Sequence, residues 1–250
     1  SRLARSTMQT LHAFAKFLRV LGWVIQGYWQ VHRVFPKLND EQRARAVEVW
    51  ARGMLGIMGI EVRVKGHPAK GPVLMAANHI SWLDILVIHG ACHCRFVAKS
   101  EIRAWPFVGA LTTGGGSLYI ERTSNRDAMR VVHQMAEALQ KGDVLAVFPE
   151  GGTGNGITLL PFHANLLQAA ISADAPIQPI ALQFIDAQTH QVSLAPCYRD
   201  DDTLISSLWR TLCAPPLLAQ VRYGETQMAD GRNRRQWAQD LQTTVAHLCK

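Results

Sequence analysis

Two kinds of hydrophobic periodicity divide the chain. Up to residue 58, apolar positions recur at helical spacing; beyond residue 60, short apolar runs alternate with helical patterns. Residues 10–35 read TLHAFAKFLRVLGWVIQGYWQVHRVF, with Lys16 and Arg19 interrupting the apolar positions. The longest uncharged stretch, from Val20 to His32, has 13 residues, whereas a spanning helix wants about 20. The pattern predicts an amphipathic helix that lies along a membrane rather than through it, with a tilted or re-entrant path left open. Trp23, Tyr28 and Trp29 are aromatics of the interfacial kind, and Arg2, Arg5, Lys16, Arg19, Arg33 and Lys37 surround them. A helix packed on the protein's own core would show the same stripe. A second helix follows, capped by Asn39 or Asp40, with Ala44, Val47, Trp50, Ala51, Met54, Leu55 and Met58 on its apolar side and Gly59 near its end. The turn around residues 36–39 makes the pair a hairpin.

The rest of the chain predicts strands at 61–65, 73–77, 95–98, 117–121, 144–148, 177–184, 191–194 and 218–223. Between them it predicts helices at 81–90 with Ser81 as cap, 102–113 with Pro106 near the start, 127–140, 161–172, 203–214 and 230–248. This alternation gives an α/β class: a mixed, largely parallel sheet flanked by helices, preceded by an N-terminal amphipathic two-helix membrane-binding motif. The expected division is residues 1–58 for that motif and 59–250 for the α/β domain. In such folds chemistry gathers at the carboxyl ends of strands.

Charge sharpens the first segment. The 250 residues carry a net +7, and residues 1–65 hold 11 Lys/Arg against 4 Asp/Glu, while the remainder is balanced at 15 of each. A basic segment suits an anionic membrane, nucleic acid or an acidic protein. Aromatics embedded in an apolar run argue against nucleic acid. With 48% apolar and 18% charged residues the chain can bury a sizeable core, which excludes a disordered class. Five cysteines in no framework spacing indicate a reducing compartment. No signal peptide is expected, because charge breaks the first apolar stretch and no small-residue cleavage site follows.

Three strand ends carry candidate chemistry. The first is Asn78-His79-Ile80-Ser81-Trp82-Leu83-Asp84, where Asp84 lies within plausible reach of the imidazole. A carboxylate on one ring nitrogen fixes the tautomer and leaves the other as a general base. A helix-capping turn with a hydrogen-bonded histidine would use the same residues. No Gly-x-Ser-x-Gly elbow accompanies it, so the base would act on a substrate hydroxyl. The second is Tyr119-Ile120-Glu121-Arg122, whose guanidinium can grip an anion bidentately. The third is Phe148-Pro149-Glu150-Gly151-Gly152-Thr153-Gly154-Asn155-Gly156, a glycine-rich loop open to close approach of a ligand. It lacks the Lys-Ser/Thr of a P-loop and the dinucleotide spacing. His89, Cys92, His93 and Cys94 are spaced too tightly for the usual ligand pairs, so no metal site is expected.

Taken in order, residues 78–84, 119–122, 148–151 and 175–180 (Ala-Pro-Ile-Gln-Pro-Ile) resemble the four blocks of the glycerolipid acyltransferases, and most closely the 1-acyl-glycerol-3-phosphate (lysophosphatidic acid) acyltransferase family. The likeness covers about residues 60–185, and Lys99 and Trp105-Pro106 resemble the stretch between the first two blocks. It implies that His79 is the general base, that Asp84 orients it, and that Asn78 is among the substrate-binding residues. It implies that Arg122, Lys99, Glu150, Gly151, Gly152 and Thr153 bind the acyl acceptor, and that Pro179 lines the acyl-donor site. It also implies an acyl thioester donor on acyl carrier protein or coenzyme A, a lysophospholipid acceptor, no cofactor, no metal and no nucleic-acid partner. The expected place is the cytoplasmic face of an inner membrane, held peripherally or monotopically.

One departure stands out. Family members often carry Thr then Arg after Phe-Pro-Glu-Gly, where this chain has Gly152 and Thr153. A phosphate contact is therefore absent from the loop, and lyso-ornithine lipid or another lysolipid stays open as acceptor. A thioesterase using the same His and Asp on water, and a non-catalytic lipid-binding scaffold, are the rival classes.

Overall fold

The computed structural model describes residues 2–121 and 124–250. Two helices come first: α1 (Arg2–Arg33) and α2 (Asp40–Met58), the latter opened by a capping box between Asn39 and Gln42 and closed by Gly59 in the left-handed region at φ 81°. Among the described residues seven strands then form one sheet: β1 (Ile60–Lys65), β2 (Val73–Ala77), β3 (Arg95–Lys99), β4 (Leu118–Ile120), β5 (Val144–Val147), β6 (Ile177–Asp186) and β7 (Leu217–Tyr223). Their spatial order is β1-β7-β6-β2-β5-β3-β4. All neighbours are parallel except β6 and β7, so β1 and β7 run against the other five strands. The mixed, largely parallel α/β class expected from the pattern is the observed one.

The helices α3 (Leu83–Ala91), α4 (Val108–Gly114), α5 (Asn125–Gln140) and α6 (Gln168–Ser172) link the parallel strands, and α7 (Leu204–Cys213) and α8 (Arg234–Leu248) flank β7 in sequence. Side-chain alternation along β2 sorts the core into two layers. Val73, Met75 and Ala77 face a cluster containing Ala13, Val20, Met54, Leu55, Leu83 and Leu208. Leu74 and Ala76 face Met135, Leu139, Leu167, Trp237 and Leu241. The α1–α2 hairpin is stitched by a reciprocal pair: Trp23 Nε1 donates to the Trp50 carbonyl at 3.0 Å and Trp50 Nε1 to the Trp23 carbonyl at 3.2 Å. The inner side of α1 is thus part of the core, and its outer side leaves Met8, Leu11, Phe14, Leu18, Leu21, Ile25 and Trp29 exposed. No described helix is long and apolar enough to cross a membrane.

Several expected elements differ in detail. The helix expected over 102–113 is split: Ser100–Ala104 is a 3-10 turn and α4 begins only at Val108, because Pro106 and a tight turn at Phe107 intervene. The helix expected over 161–172 is confined to its second half, since residues 161–164 serve loop contacts; His163 N donates to the Pro149 carbonyl and Phe162 N to Gln242 Oε1. The strand expected at 191–194 is reduced to one bridge, Val192 to Ile185. The last helix starts at Arg234, not 230, where Asn233 caps it and Asp230 takes φ 49°.

Candidate active site

Strands β2 and β5 are sheet neighbours, with Ala76 opposite Val147. The residues just beyond their carboxyl ends therefore meet, and they are His79 and Phe148-Pro149-Glu150. Asn78 is wholly buried and continues the sheet with its side chain: Nδ2 donates to the Leu182 carbonyl at 3.0 Å and Oδ1 accepts from Leu182 N at 2.7 Å. That clasp ends β2 at a fixed point and projects His79 beyond it.

His79 Nδ1 lies 2.7 Å from Asp84 Oδ2. The same oxygen accepts the backbone N–H of Ile80 at 2.6 Å and of Ser81 at 3.0 Å. Asp84 is fully buried, and its Oδ1 has no hydrogen-bond partner among the described residues, so the whole hydrogen-bonding commitment of the carboxylate falls on Oδ2. A carboxylate accepts, so Nδ1 carries the hydrogen and Nε2 holds the lone pair. The histidine side chain remains 19% exposed, which leaves room for a substrate to reach it. The helix expected to start at Ser81 starts instead at Leu83: Asp84 Oδ2 takes the amides of Ile80 and Ser81, and the Ser81 hydroxyl accepts the amide of Leu83 at 3.3 Å.

Phe148 supplies the imidazole's flat support. The two rings stack with centroids 4.0 Å apart and planes 15° from parallel, and Phe96 stacks on Phe148 at 5.7 Å and 16°. Behind Phe96 stands His89, whose burial lowers its pKa to about 3, so it is a neutral core group. Among the described residues no group of three potential ligands is disposed to hold a metal ion.

Glu150 is buried, and both its oxygens are taken by main-chain amides: Oε1 accepts from His79 N at 2.7 Å and Oε2 from Leu160 N at 2.5 Å. Burial pushes its carboxyl up, against the pull of those two amides. In the structure, then, Glu150 ties the base to the far end of the glycine loop. The loop is pinned again by Gly154 N, which donates to the His79 carbonyl at 2.7 Å. Gly156, at φ 74°, has no space for a Cβ, which would meet Ile80 Cδ1 at 2.7 Å. Gly151 is also left-handed, at φ 72°, and Gly152 is exposed. The Thr153 hydroxyl donates to the Tyr198 carbonyl at 2.8 Å, and Tyr198 N returns to the Ile80 carbonyl at 3.0 Å, so the segment after β6 closes over the loop. Arg210 holds that segment through Asp202 and the carbonyls of Ala195 and Cys197.

Of the remaining expected residues, Lys99 and Pro179 lie on β3 and β6. Lys99 is exposed at the carboxyl end of β3, opposite Ile120 of β4. Arg122 falls outside the described residues. Pro179 is buried within β6, opposite Ala76, and its ring would meet a Cβ on Gly224 at 2.8 Å. The residues that motif reading left without a role are Phe148 as the ring under the base, Leu160 as the second partner of Glu150, and Tyr198 as the roof of the loop. Only Phe148 had a local signal, its place next to Pro149-Glu150 at a strand end.

The geometry describes a base held by a buried carboxylate at the carboxyl end of a parallel sheet, with a glycine loop beside it. A family model described as Acyltransferase matches residues 59–183, the span that contains all of these elements. The 1-acyl-sn-glycerol-3-phosphate acyltransferase of Neisseria meningitidis serogroup B is 38% identical over 186 residues, 73% of this chain and 72% of its own. The lyso-ornithine lipid O-acyltransferase of Pseudomonas aeruginosa is 35% identical over 208 residues, 81% of this chain and 78% of its own. The crystal structure of the 1-acyl-sn-glycerophosphate (LPA) acyltransferase from Thermotoga maritima shares the fold, with a TM-score of 0.72 at 18% identity, over 100% of this chain and 96% of that one. The chain belongs to the acyltransferase family, and within it to the lysophosphatidic acid acyltransferases. It is accordingly an enzyme of the acyltransferase class.

Proposed function

We propose that the chain transfers a fatty acyl group from an acyl thioester, on acyl carrier protein or coenzyme A, to the free hydroxyl of 1-acyl-glycerol-3-phosphate, giving phosphatidic acid. The observation that carries this reading is the His79–Asp84 pair at 2.7 Å, with the carboxylate on Nδ1 and the basic Nε2 left for a substrate proton. Nε2 takes the hydroxyl proton as the oxygen attacks the thioester carbonyl. Negative charge gathers on the carbonyl oxygen, the carbon–sulfur bond breaks, and the leaving thiolate receives the proton from the imidazolium. A base so placed contributes ~10²–10⁴-fold. The thioester brings its own leaving group, so the scheme calls on no cofactor. Lys99, at the carboxyl end of β3, and Arg122 would take the acceptor's phosphate, and residues 1–58 would seat the enzyme on the anionic cytoplasmic face of an inner membrane through the outer side of α1.

A second reading is favoured by one observation. Thr153 stands where many family members carry arginine two positions after the glycine of Phe-Pro-Glu-Gly, and its hydroxyl is spent on the Tyr198 carbonyl. The 35%-identical relative bears the name lyso-ornithine lipid O-acyltransferase. The acceptor would then be lyso-ornithine lipid. An assay on purified protein in mixed micelles, with both thioester donors and both lysolipids, decides between them. Transfer to lysophosphatidic acid that His79→Ala abolishes is the expected result. Transfer to lyso-ornithine lipid alone selects the second reading, and thioester hydrolysis without transfer overturns both.

A further inference from the structure

Beside the Lys99 edge the chain holds out two aromatic side chains that no packing requirement accounts for. Trp105 is 52% exposed and Phe107 is 47% exposed. Phe107 sits at φ 59°, ψ −49°, with Val108 N donating to the Pro106 carbonyl at 2.6 Å across it. This is the γ-turn of the strained hand, a backbone state that a bulky side chain rarely adopts. Strain of this sort persists where the surroundings enforce it, and it clusters at functional positions. The enforcement is visible: Pro106 fixes one side of the turn, and Gly109 lies so close to the Arg103 carbonyl that a Cβ there would come within 2.1 Å. Core packing is not the reason, since the ring so held faces half into solvent.

The turn adjoins α1. The Phe107 ring meets the Tyr28 ring edge-on, with centroids 5.1 Å apart. Tyr28 and Trp29 end a row of exposed side chains at Met8, Leu11, Phe14, Leu18, Leu21 and Ile25. That row advances by three or four residues at each step and extends ~30 Å at 1.5 Å per residue. Arg103, two residues before Trp105, lies over the Tyr119 ring at 5.7 Å, and His32 and Arg33 occupy the last turn of α1, which also carries Trp29. A long apolar row with aromatics at one end and cations about it has the form of a plane rather than a pocket, and aromatic and basic side chains together suit the boundary of an anionic bilayer.

We infer that the Trp105–Phe107 turn is a second membrane-inserting element, which enters an anionic lipid bilayer beside α1 and sets the β3–β4 edge against the lipid headgroups. The inference rests on the proposed membrane seat of α1. Its test uses the full chain and vesicles of phosphatidylglycerol and phosphatidylethanolamine in co-sedimentation. The double variant Trp105→Ser/Phe107→Gly removes both rings while giving the left-handed position the residue it favours, so its Tm should equal or exceed the parent's. Bound protein should fall at least fivefold, while transfer between detergent-dispersed substrates stays within twofold of the parent. Vesicle binding equal to the parent's would overturn the inference, as would a change in self-association in solution with vesicle binding intact, which would mark the turn as a protein contact. An equal loss in the detergent assay would also overturn it, by making the turn part of the catalytic framework. A parent chain that fails to sediment at all would sink the membrane reading itself along with this inference.

Discussion

The middle of the sheet and its edge are built differently. At the middle, β2 and β5 end side by side, and each side chain that positions His79 is hydrogen-bonded: Asp84 through Oδ2 to the ring and two amides, Glu150 to two more, Asn78 to Leu182. At the edge, β4 is a three-residue strand, Lys99 is exposed, and the turn that follows shows aromatic rings to solvent. The contrast separates two tasks. Proton transfer needs a base fixed to within a fraction of an ångström, and the interior supplies it. Under the proposed function, gripping the headgroup of a lipid that arrives from a surface would need an exposed cation, and Lys99 offers one at the rim.

Substitutions can break this contrast. The largest effect should come from His79→Ala, which removes the base: turnover should fall ~10²–10⁴-fold with the far-UV CD spectrum unchanged, and near-parental turnover would show that the middle does not hold the chemistry. Lys99→Ala should act at the edge, raising KM for a phosphate-bearing acceptor by about 10–100-fold, the worth of a charge-assisted hydrogen bond, with the thioester KM unmoved; an effect confined to the donor would reverse the assignment of the rim. Phe148→Leu should lower kcat about tenfold, on the scale of a desolvated ring beneath an imidazolium, and leave KM alone. Rescue by Phe148→Tyr would show that the flat ring matters, and failure of that rescue would reduce the stack to packing.

Glu150→Gln probes the middle through stability. One of the two amides should lose its acceptor, a cost of about 1–3 kcal/mol, read from denaturant unfolding. Burial raises the carboxyl of Glu150 in the fold, so the folded protein holds that proton more firmly than the unfolded chain does. Stability from this group is complete below the unfolded carboxyl range and is lost as pH rises through the folded value. The parent's Tm should therefore decline relative to the variant's as pH climbs from about 4, and parallel Tm profiles would refute it.

Much of this was legible in the residue pattern, for a physical reason. Parallel strands buried on both sides read as short apolar runs, and those at 73–77 and 144–148 fell within a residue of the observed ones. The His-x4-Asp pair was legible because its partners are local. The run from 102 to 113 misled because helical periodicity continues across Pro106, while the backbone does not. The Glu150 clasp was invisible for the opposite reason: its partners, His79 N and Leu160 N, are main-chain groups carrying no residue signature, and one of them is 71 positions away. The antiparallel turn of β7 against β6 was equally silent, since strand direction leaves no mark on composition.

That clasp has a consequence for how such a site can change. Both carboxylate oxygens of Glu150 address N–H groups, which every residue but proline provides. The loop between its anchor points can therefore exchange side chains without loosening its ends. Side chains can change at exposed positions such as Gly152, Ile157 and Thr158, while Gly156, Thr153 and Asn155 keep the loop's shape and the His79–Asp84 pair keeps its alignment.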